Sequence, residues 1–164
     1  MIDALFIVPG NAKGIYQSLS EDYSAIEPPT WALLLAESCR SVGHNVGIID
    51  VTAERLSHQE VLDKVLEISP KFIVFVVYGQ NVNAGTTNMS GAVALSSFIK
   101  LNNCLLPIIL IGSHAQALPI DTLEQEESID IVCTNEGVYT LWNLLKLTQV
   151  NPVVLATIKG IGYR

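Results

Sequence analysis

The stretch Ile108-Ile109-Leu110-Ile111-Gly112-Ser113-His114 decides the fold, because it is an apolar run that stops abruptly at small and polar residues. A second stretch, Asp130-Ile131-Val132-Cys133-Thr134-Asn135-Glu136-Gly137, repeats the pattern. Apolar runs without alternation are typical of parallel strands covered on both faces. Ligands of open parallel sheets bind at the carboxyl ends of the strands, so the two junctions predict where a ligand site lies.

Strand-like and helix-like segments alternate around these two stretches. We predict strands over residues 4–8, 45–50, 72–77, 108–111 and 130–133, and helices over residues 30–42, 58–68, 90–101, 119–126 and 138–147. Alternation of this kind is the signature of βαβ units. The sequence therefore predicts an α/β fold: a flavodoxin-like or Rossmann-like doubly wound parallel sheet of about five strands, with helices on both faces. The tail, residues 152–164, is interpreted as a last edge strand or a short hairpin.

The composition fits a single folded domain over residues 1–164. The chain is 49% hydrophobic and 15% charged, which favours a buried sheet and argues against disorder. Its formal charge of -7 and scattered basic residues argue against nucleic acid as a partner. No apolar stretch approaches the ~20 residues of a transmembrane helix, and the N-terminus lacks a signal-peptide pattern. We therefore expect no membrane partner and a cytoplasmic location.

Several familiar sites are absent from the sequence. Cys39, Cys104 and Cys133 lie far apart, which predicts reduced thiols in or near the core and not a disulfide framework or a metal site. Residues 9–14, after the first strand, lack the Gly-x-Gly-x-x-Gly spacing of a dinucleotide site. A phosphate-binding P-loop is also missing, so a dinucleotide-binding Rossmann site is disfavoured. The absence of a Gly-x-Ser-x-Gly elbow argues against an α/β-hydrolase.

Two long connections, residues 9–29 and 78–88, leave the carboxyl ends of the first and third predicted strands. Connections in α/β units usually take ~2–6 residues, and longer ones are often functional. Amide side chains in the second connection suit a neutral polar ligand and are poor acid–base catalysts, so we predict binding residues and no catalytic residue. The candidate binding residues are Pro9, Gly10, Tyr78, Gly79, Gln80, Asn81, Asn88, Gly112, Ser113, His114, Asn135, Glu136 and Gly137.

The candidates also have structural interpretations, which the sequence leaves open. His114 is either a ligand contact or a loop histidine bonded to a nearby carbonyl. Glu136 either interacts with the dipole of the following helix or accepts hydrogen bonds from a ligand. Asn135 has the same choice between capping and contact. Trp31 and Tyr78 either belong to the core or pack on a flat macrocycle.

Five groups of residues recur in the order and spacing of a known family. They are Pro28-Pro29 with Leu35-Ala36; Gly43-His44-x-Val46 with Ile49-Asp50; Ile111-Gly112-Ser113-His114 with Pro119; Asp130-Ile131-Val132 with Asn135-Glu136-Gly137 and Thr140-Leu141; and Ile158-Lys159-Gly160-Ile161-Gly162-Tyr163-Arg164. In these motifs the chain resembles the N-terminal cobalamin-binding domain of cobalamin-dependent radical SAM enzymes. The chain departs from the family's residues at Trp31, Ser113, Asn135 and Val138.

The resemblance implies a flavodoxin-like sheet that holds cobalamin over its carboxyl edge. The Asp-x-His-x-x-Gly motif, which supplies a lower axial histidine in methionine-synthase-like domains, is absent. The resemblance therefore predicts cobalamin bound base-off, with no histidine on cobalt. Residues 78–88 would lie under the corrin, and residues 112–114 and 135–137 would hold the nucleotide tail or the corrin amides. His44 is expected to be a surface or turn residue, and His58 is expected to be solvated.

The family's Cys-x-x-x-Cys-x-x-Cys cluster motif is also absent. The chain is therefore expected to be a fragment of a longer enzyme or a stand-alone binding domain. A radical SAM catalytic domain in cis would hold the iron–sulfur cluster and S-adenosylmethionine. The implied reaction of the parent enzyme is methyl transfer to an unactivated substrate centre. The alternatives are a non-methylating relative, such as a cyclase or ring-contracting enzyme, and a vestigial Rossmann-like interaction or regulatory domain without cofactor.

Overall fold

The computed structural model describes residues 2–10, 26–79 and 82–164, without the side chains of residues 82–84 and 87. In this part of the chain the strands form one sheet in the order β2-β1-β3-β4-β5-β6. They are β1 (Ala4–Val8), β2 (Val46–Asp50), β3 (Phe72–Val77), β4 (Ile108–Gly112), β5 (Ile131–Cys133) and β6 (Ile161–Tyr163). Strands β1 to β5 are parallel and β6 is antiparallel to β5. The predicted α/β class and doubly wound sheet are confirmed, with a sixth strand added at the edge.

Helices cover both faces of the sheet, as predicted. One face carries α1 (Thr30–Ser41), α6 (Val138–Leu145) and α7 (Pro152–Leu155), and the other carries α2 (His58–Ile68), α3 (Val82–Leu101), α4 (Ser113–Ala117) and α5 (Pro119–Gln125). Alternate residues of each strand enter the two cores: Phe72 and Val74 face α1, while Ile73 and Phe75 face α2 and α3. All six residues of β3 are buried, which explains its unbroken apolar sequence.

Capping residues fix two ends of the predicted helices. The Ser57 hydroxyl accepts a hydrogen bond from the Glu60 backbone N–H at 3.3 Å, and the Glu60 carboxylate accepts one from the Ser57 N–H at 2.8 Å. This capping box satisfies two N–H groups that the start of α2 leaves unpaired. Gly43 follows α1 with a φ of 92°, in the left-handed region that a side chain disfavours.

The predicted start of the third helix is wrong. Helix α3 begins at Val82 and not at Ser90, so most of the predicted loop 78–88 is helical, and Asn88 lies inside the helix and does not cap it. The Asn, Thr and Gly residues of its first turns are weak helix formers. The helix is held instead by packing of later residues such as Met89, Ala92 and Leu95 in the core. Residues 11–25, within the first long connection, lie outside the described residues.

Smaller differences concern the segments after β4 and after α6. Helix α4 begins directly after β4, where the sequence had predicted a loop. The tail contains the predicted edge strand, β6, which pairs with β5 and does not form a hairpin of its own. It is preceded by the short helix α7, which the sequence analysis missed. The other boundaries differ by one or two residues, the usual scatter at helix and strand ends.

Polar side chains tie the strands together at the amino edge of the sheet. Asp3 accepts the Asn45 backbone N–H at 2.9 Å, which fixes the start of β2 to that of β1. His44 Nδ1 lies 3.5 Å from the same carboxylate oxygen, and its side chain is only 13% exposed, so this turn residue is largely buried. Asp130 accepts the Ile108 N–H at 2.7 Å and the Lys100 ammonium at 2.8 Å, which joins the starts of β4 and β5.

Candidate functional site

The candidate site lies at the carboxyl edge of the sheet. In the sheet, β2 lies on the outer side of β1 and β4 lies on the outer side of β3, so the connections that leave β1 and β3 run in opposite directions. The position between β1 and β3 is therefore the topological switch point. In open α/β sheets the crevice outside this point is where ligands bind. Pro9 and Gly10 follow β1, and Tyr78 and Gly79 follow β3, so the structure places these four predicted residues at the switch point.

Tyr78 is the centre of this edge. Its ring stacks on Trp31 of α1, with centroids 4.7 Å apart and an interplanar angle of 29°. Its hydroxyl accepts a hydrogen bond from the Gln116 side chain of α4 at 2.5 Å. Burial, with smaller contributions from Glu136 and Cys133, raises the pKa of Tyr78 to about 12. The phenol is therefore neutral at physiological pH, and its own proton remains available for donation to a ligand.

Three positions without a side chain let the backbone segments of this edge approach closely. A Cβ at Gly112 would overlap the Val77 carbonyl oxygen, so the ends of β3 and β4 need glycine there. A Cβ at Gly85, in α3, would overlap the Ser113 hydroxyl, and one at Gly10 would lie 2.5 Å from the Thr52 hydroxyl. The shape of the edge is therefore set by backbone packing as well as by side chains.

The turn between β5 and α6 is held by hydrogen bonds from within the protein. Asn135 Oδ1 accepts the Gly137 N–H at 2.8 Å, and its amide also contacts the Thr140 hydroxyl. Gly137 has a φ of 87°, and a Cβ there would lie 3.0 Å from the Ile111 side chain. The turn therefore exposes the Glu136 carboxylate while the Asn135 amide is engaged internally.

The structure brings most of the predicted site residues to this one edge. They are Pro9, Gly10, Tyr78, Gly79, Gly112, Ser113, His114, Asn135, Glu136 and Gly137. Asn88 lies within α3, and Gln80 and Asn81 lie outside the described residues. Sequence reasoning missed Gln116 and Gly85. Gly85 could be found only by first placing the start of α3, because a glycine inside a helix marks a close approach. Gln116 could be found only by first locating α4.

The described residues offer no protein-based metal centre. No group of three or more His, Cys, Asp and Glu side chains that could hold a metal ion occurs in residues 2–10, 26–79 and 82–164. Cys39, Cys104 and Cys133 are buried free thiols, as predicted. The imidazole of His58 is exposed and its ring contacts Phe98, 5.6 Å away. No helix in the same ranges is long and apolar enough to cross a membrane.

The fold is that of solved cobalamin-dependent radical SAM enzymes. The radical SAM methyltransferase TsrM from Kitasatospora setae matches 98% of this chain with a TM-score of 0.68 and 15% identity. The cobalamin-dependent S-adenosylmethionine radical enzyme OxsB matches 99% of it with a TM-score of 0.67 and 18% identity. A TsrM structure holds cobalamin and a 4Fe-4S cluster, and the OxsB structure holds aqua-cobalamin and S-adenosylmethionine. The fold that the resemblance implies is thus confirmed.

A curated protein is similar to this chain in sequence. The anaerobic magnesium-protoporphyrin IX monomethyl ester cyclase of Cereibacter sphaeroides is 24% identical over 137 residues, which is 83% of this chain. No family model matches the chain. The chain spans 21% of the length of the cyclase, 28% of the TsrM chain and 21% of the OxsB chain.

Proposed function

We propose that this chain is the cobalamin-binding module of a cobalamin-dependent radical SAM enzyme, whose catalytic domain lies in cis and holds the iron–sulfur cluster and S-adenosylmethionine. The observation that carries the proposal is the carboxyl edge around Tyr78. Most of the predicted binding residues lie along this edge, in a fold that resembles part of TsrM and part of OxsB. Module and catalytic domain together would account for the small share of each relative that this chain spans.

The chemistry of this edge fits cobalamin. A corrin ring presents neutral amides at its rim and a flat face, so it suits a site with hydrogen-bonding groups and aromatic surface. Tyr78 keeps its proton, Trp31 is 44% exposed, and the Glu136 carboxylate can accept amide N–H groups. When bound, cobalamin supplies the cobalt chemistry. This chain's residues bind it, orient it and limit access of water.

We further propose that cobalamin is held base-off, with no histidine on cobalt. His44 lies at the amino edge beside Asp3, on the side of the sheet away from the site. His58 lies against Phe98. His114 follows β4 at the carboxyl edge, and its proposed role is a contact to the corrin or the nucleotide tail.

For the parent enzyme we propose methyl transfer to an unactivated substrate centre; support comes from TsrM, the similar solved structure of a methyltransferase. Ring formation is the second candidate, because the curated sequence relative is a cyclase. The two reactions differ in the fate of the methyl group of S-adenosylmethionine. The full-length enzyme, incubated with substrate and methyl-labelled S-adenosylmethionine, will transfer label to the product if it methylates. A converted but unlabelled product would favour the cyclase.

Cobalamin binding is tested by titrating the pure chain with hydroxocobalamin. We expect a coloured protein after desalting, with cobalamin in one-to-one ratio. Glu136→Gln should weaken binding, while Glu67→Gln, an exposed carboxylate on α2, serves as the matched control and should leave it unchanged. A wild-type chain that stays colourless would refute the proposal and favour the vestigial interaction domain.

The absence of a histidine ligand is tested in the bound cob(II)alamin state. Substituting His44, His58 and His114 separately by alanine should leave the electron paramagnetic resonance spectrum unchanged and free of nitrogen superhyperfine splitting. His114→Ala should weaken binding without altering that spectrum. A nitrogen splitting in the wild type that one variant abolishes would identify a cobalt ligand and contradict this part of the proposal.

A further inference from the structure

We infer that Asn135 is a positioning residue that couples the candidate cofactor site to β6, so that a ligand on the β5–α6 turn stabilises the C-terminal strand. The inference rests on the proposed function, because it assigns this coupling to bound cobalamin. It concerns four residues, Asn135, Thr140, Lys159 and Gly160, which we call the Asn135 cluster.

Both polar atoms of the Asn135 side chain are bonded to neighbouring residues. Its Oδ1 accepts the Gly137 N–H at 2.8 Å and lies 3.2 Å from the Thr140 hydroxyl, while its Nδ2 donates to that hydroxyl at 3.1 Å. Thr140 is only 3% exposed, so water does not replace these bonds readily. An amide that is bonded through both of its polar atoms orients the turn.

The same cluster reaches the segment before β6. The Thr140 hydroxyl lies 3.4 Å from the Lys159 carbonyl, and the Thr134 N–H donates to the Gly160 carbonyl at 2.9 Å. Gly160 has a φ of 80°, and a Cβ there would overlap Asn135 Nδ2. The Asn135 amide therefore packs directly on the backbone of Gly160. Strand β6 begins at the next residue, where Ile161 pairs with Cys133.

Coupling follows from this arrangement. Asn135 directly precedes Glu136 and Gly137, which belong to the candidate site. At the other end of the cluster, Lys159 and Gly160 lead into β6. Strand β6 is a three-residue edge strand whose residues are only partly buried. Short edge strands are among the elements of a fold that open locally. A ligand that binds only the ordered turn stabilises β6, and by linkage opening of β6 weakens the ligand to the same degree.

The experiment is hydrogen–deuterium exchange of residues 159–164 in the full chain, with and without hydroxocobalamin, combined with binding titrations. Thr140→Val removes the hydroxyl and keeps the shape, and Thr140→Ser restores the hydroxyl. Asn135→Asp replaces the Nδ2 donor with a charged carboxylate oxygen and keeps the acceptor for the Gly137 N–H. Thr122→Val is the matched control, since Thr122 is also 3% exposed and its hydroxyl donates to the Leu118 carbonyl at 2.7 Å.

We expect hydroxocobalamin to slow exchange of residues 159–164 in the wild type, in Thr140→Ser and in Thr122→Val. Thr140→Val should lose this ligand-induced protection and bind roughly tenfold more weakly, the order expected when a buried hydrogen-bonding group loses its partner. Asn135→Asp should lie between these results. A merely structural role would lower stability without removing the protection that the ligand confers.

Protection that persists in both Thr140→Val and Asn135→Asp, or that is lost equally in Thr122→Val, would overturn the inference. If the wild type itself does not bind hydroxocobalamin, the proposed function fails, and with it the ligand-linked half of the inference. The structural coupling between the β5–α6 turn and β6 is then tested in the unliganded chains. Faster exchange of residues 159–164 in Thr140→Val than in Thr122→Val supports this coupling, and equal rates refute it.

Discussion

Replacing Gly112 with alanine tests whether the candidate site depends on the close approach of β3 and β4. Val77 and Gly112 are register partners at the carboxyl ends of these strands. A Cβ at Gly112 would overlap the Val77 carbonyl oxygen. It would also lie 2.8 Å from the carbonyl carbon and 3.1 Å from the Cβ of Val77. The backbone of Gly112 is extended, with a φ of 165°, so alanine meets no conformational penalty there. The whole effect is steric, and backbone atoms cannot rotate out of the way.

The size of the effect follows from this geometry. Forcing an extra methyl group into a packed core costs about 1–3 kcal/mol, and we expect the upper part of that range because the strands themselves must separate. For a domain of this size each kcal/mol lowers Tm by about 2–4 °C, so Gly112→Ala should lose roughly 4–12 °C. Ser113 and α4 follow directly, so hydroxocobalamin affinity should fall as well.

Gly47→Ala is the control for this experiment. Gly47 lies in β2 of the same sheet, but a Cβ there would meet only the Leu5 Cδ1 at 3.1 Å, the end of a flexible side chain. Thermal denaturation followed by circular dichroism should therefore give a much smaller shift. The reasoning is refuted if Gly112→Ala melts within about 1 °C of the wild type, or if Gly47→Ala is equally destabilised.

Three further measurements check the fold and its titrating groups. Ser57→Ala should lower the free energy of unfolding by about 1 kcal/mol in urea denaturation through loss of the capping box, and an unchanged value would contradict that cap. Asp130→Ala should lower the free energy of unfolding by about 1–3 kcal/mol, because the buried Ile108 N–H loses its acceptor. Asp130→Asn keeps an acceptor oxygen and should lower it less. Equal losses in the two variants would argue against the Asp130–Ile108 hydrogen bond. Burial raises the pKa of Cys133 from 9.0 to about 12 and that of Tyr78 from 10.0 to about 12, so the unfolded chain loses these protons first. The free energy of unfolding should therefore fall as pH rises from about 9 to about 12, and less steeply in Tyr78→Phe.

The sheet was predictable because its strands carry their own signal. An unbroken run such as residues 72–77 can be satisfied only between two layers of helices, and all six of its residues are buried. The helix ends were predictable for a similar reason, since Ser57, Glu60 and Gly43 act on neighbours within a few residues. Local chemistry of this kind is readable from a single sequence.

The interior of the site was not predictable, because its contacts join residues distant in sequence. Trp31 stacks on Tyr78, 47 positions away, and Gln116 reaches the same phenol from a short helix without a distinctive pattern. The start of α3 was missed because its first turns have poor helix propensity and core packing overrides it. The choice between capping and contact at Asn135 was also out of reach, since both roles use the same side-chain atoms.

The departures from the family's residues at Ser113 and Asn135 bear directly on whether this site is functional or vestigial. Each replaces a small residue at the carboxyl edge with a polar side chain, which could obstruct a ligand if it projected outward. The Ser113 hydroxyl instead occupies the space where Gly85 lacks a Cβ. The Asn135 amide is bonded to Gly137 and Thr140 and packs on Gly160. Both side chains are thus accommodated within the protein, so these two departures are compatible with a working cofactor site.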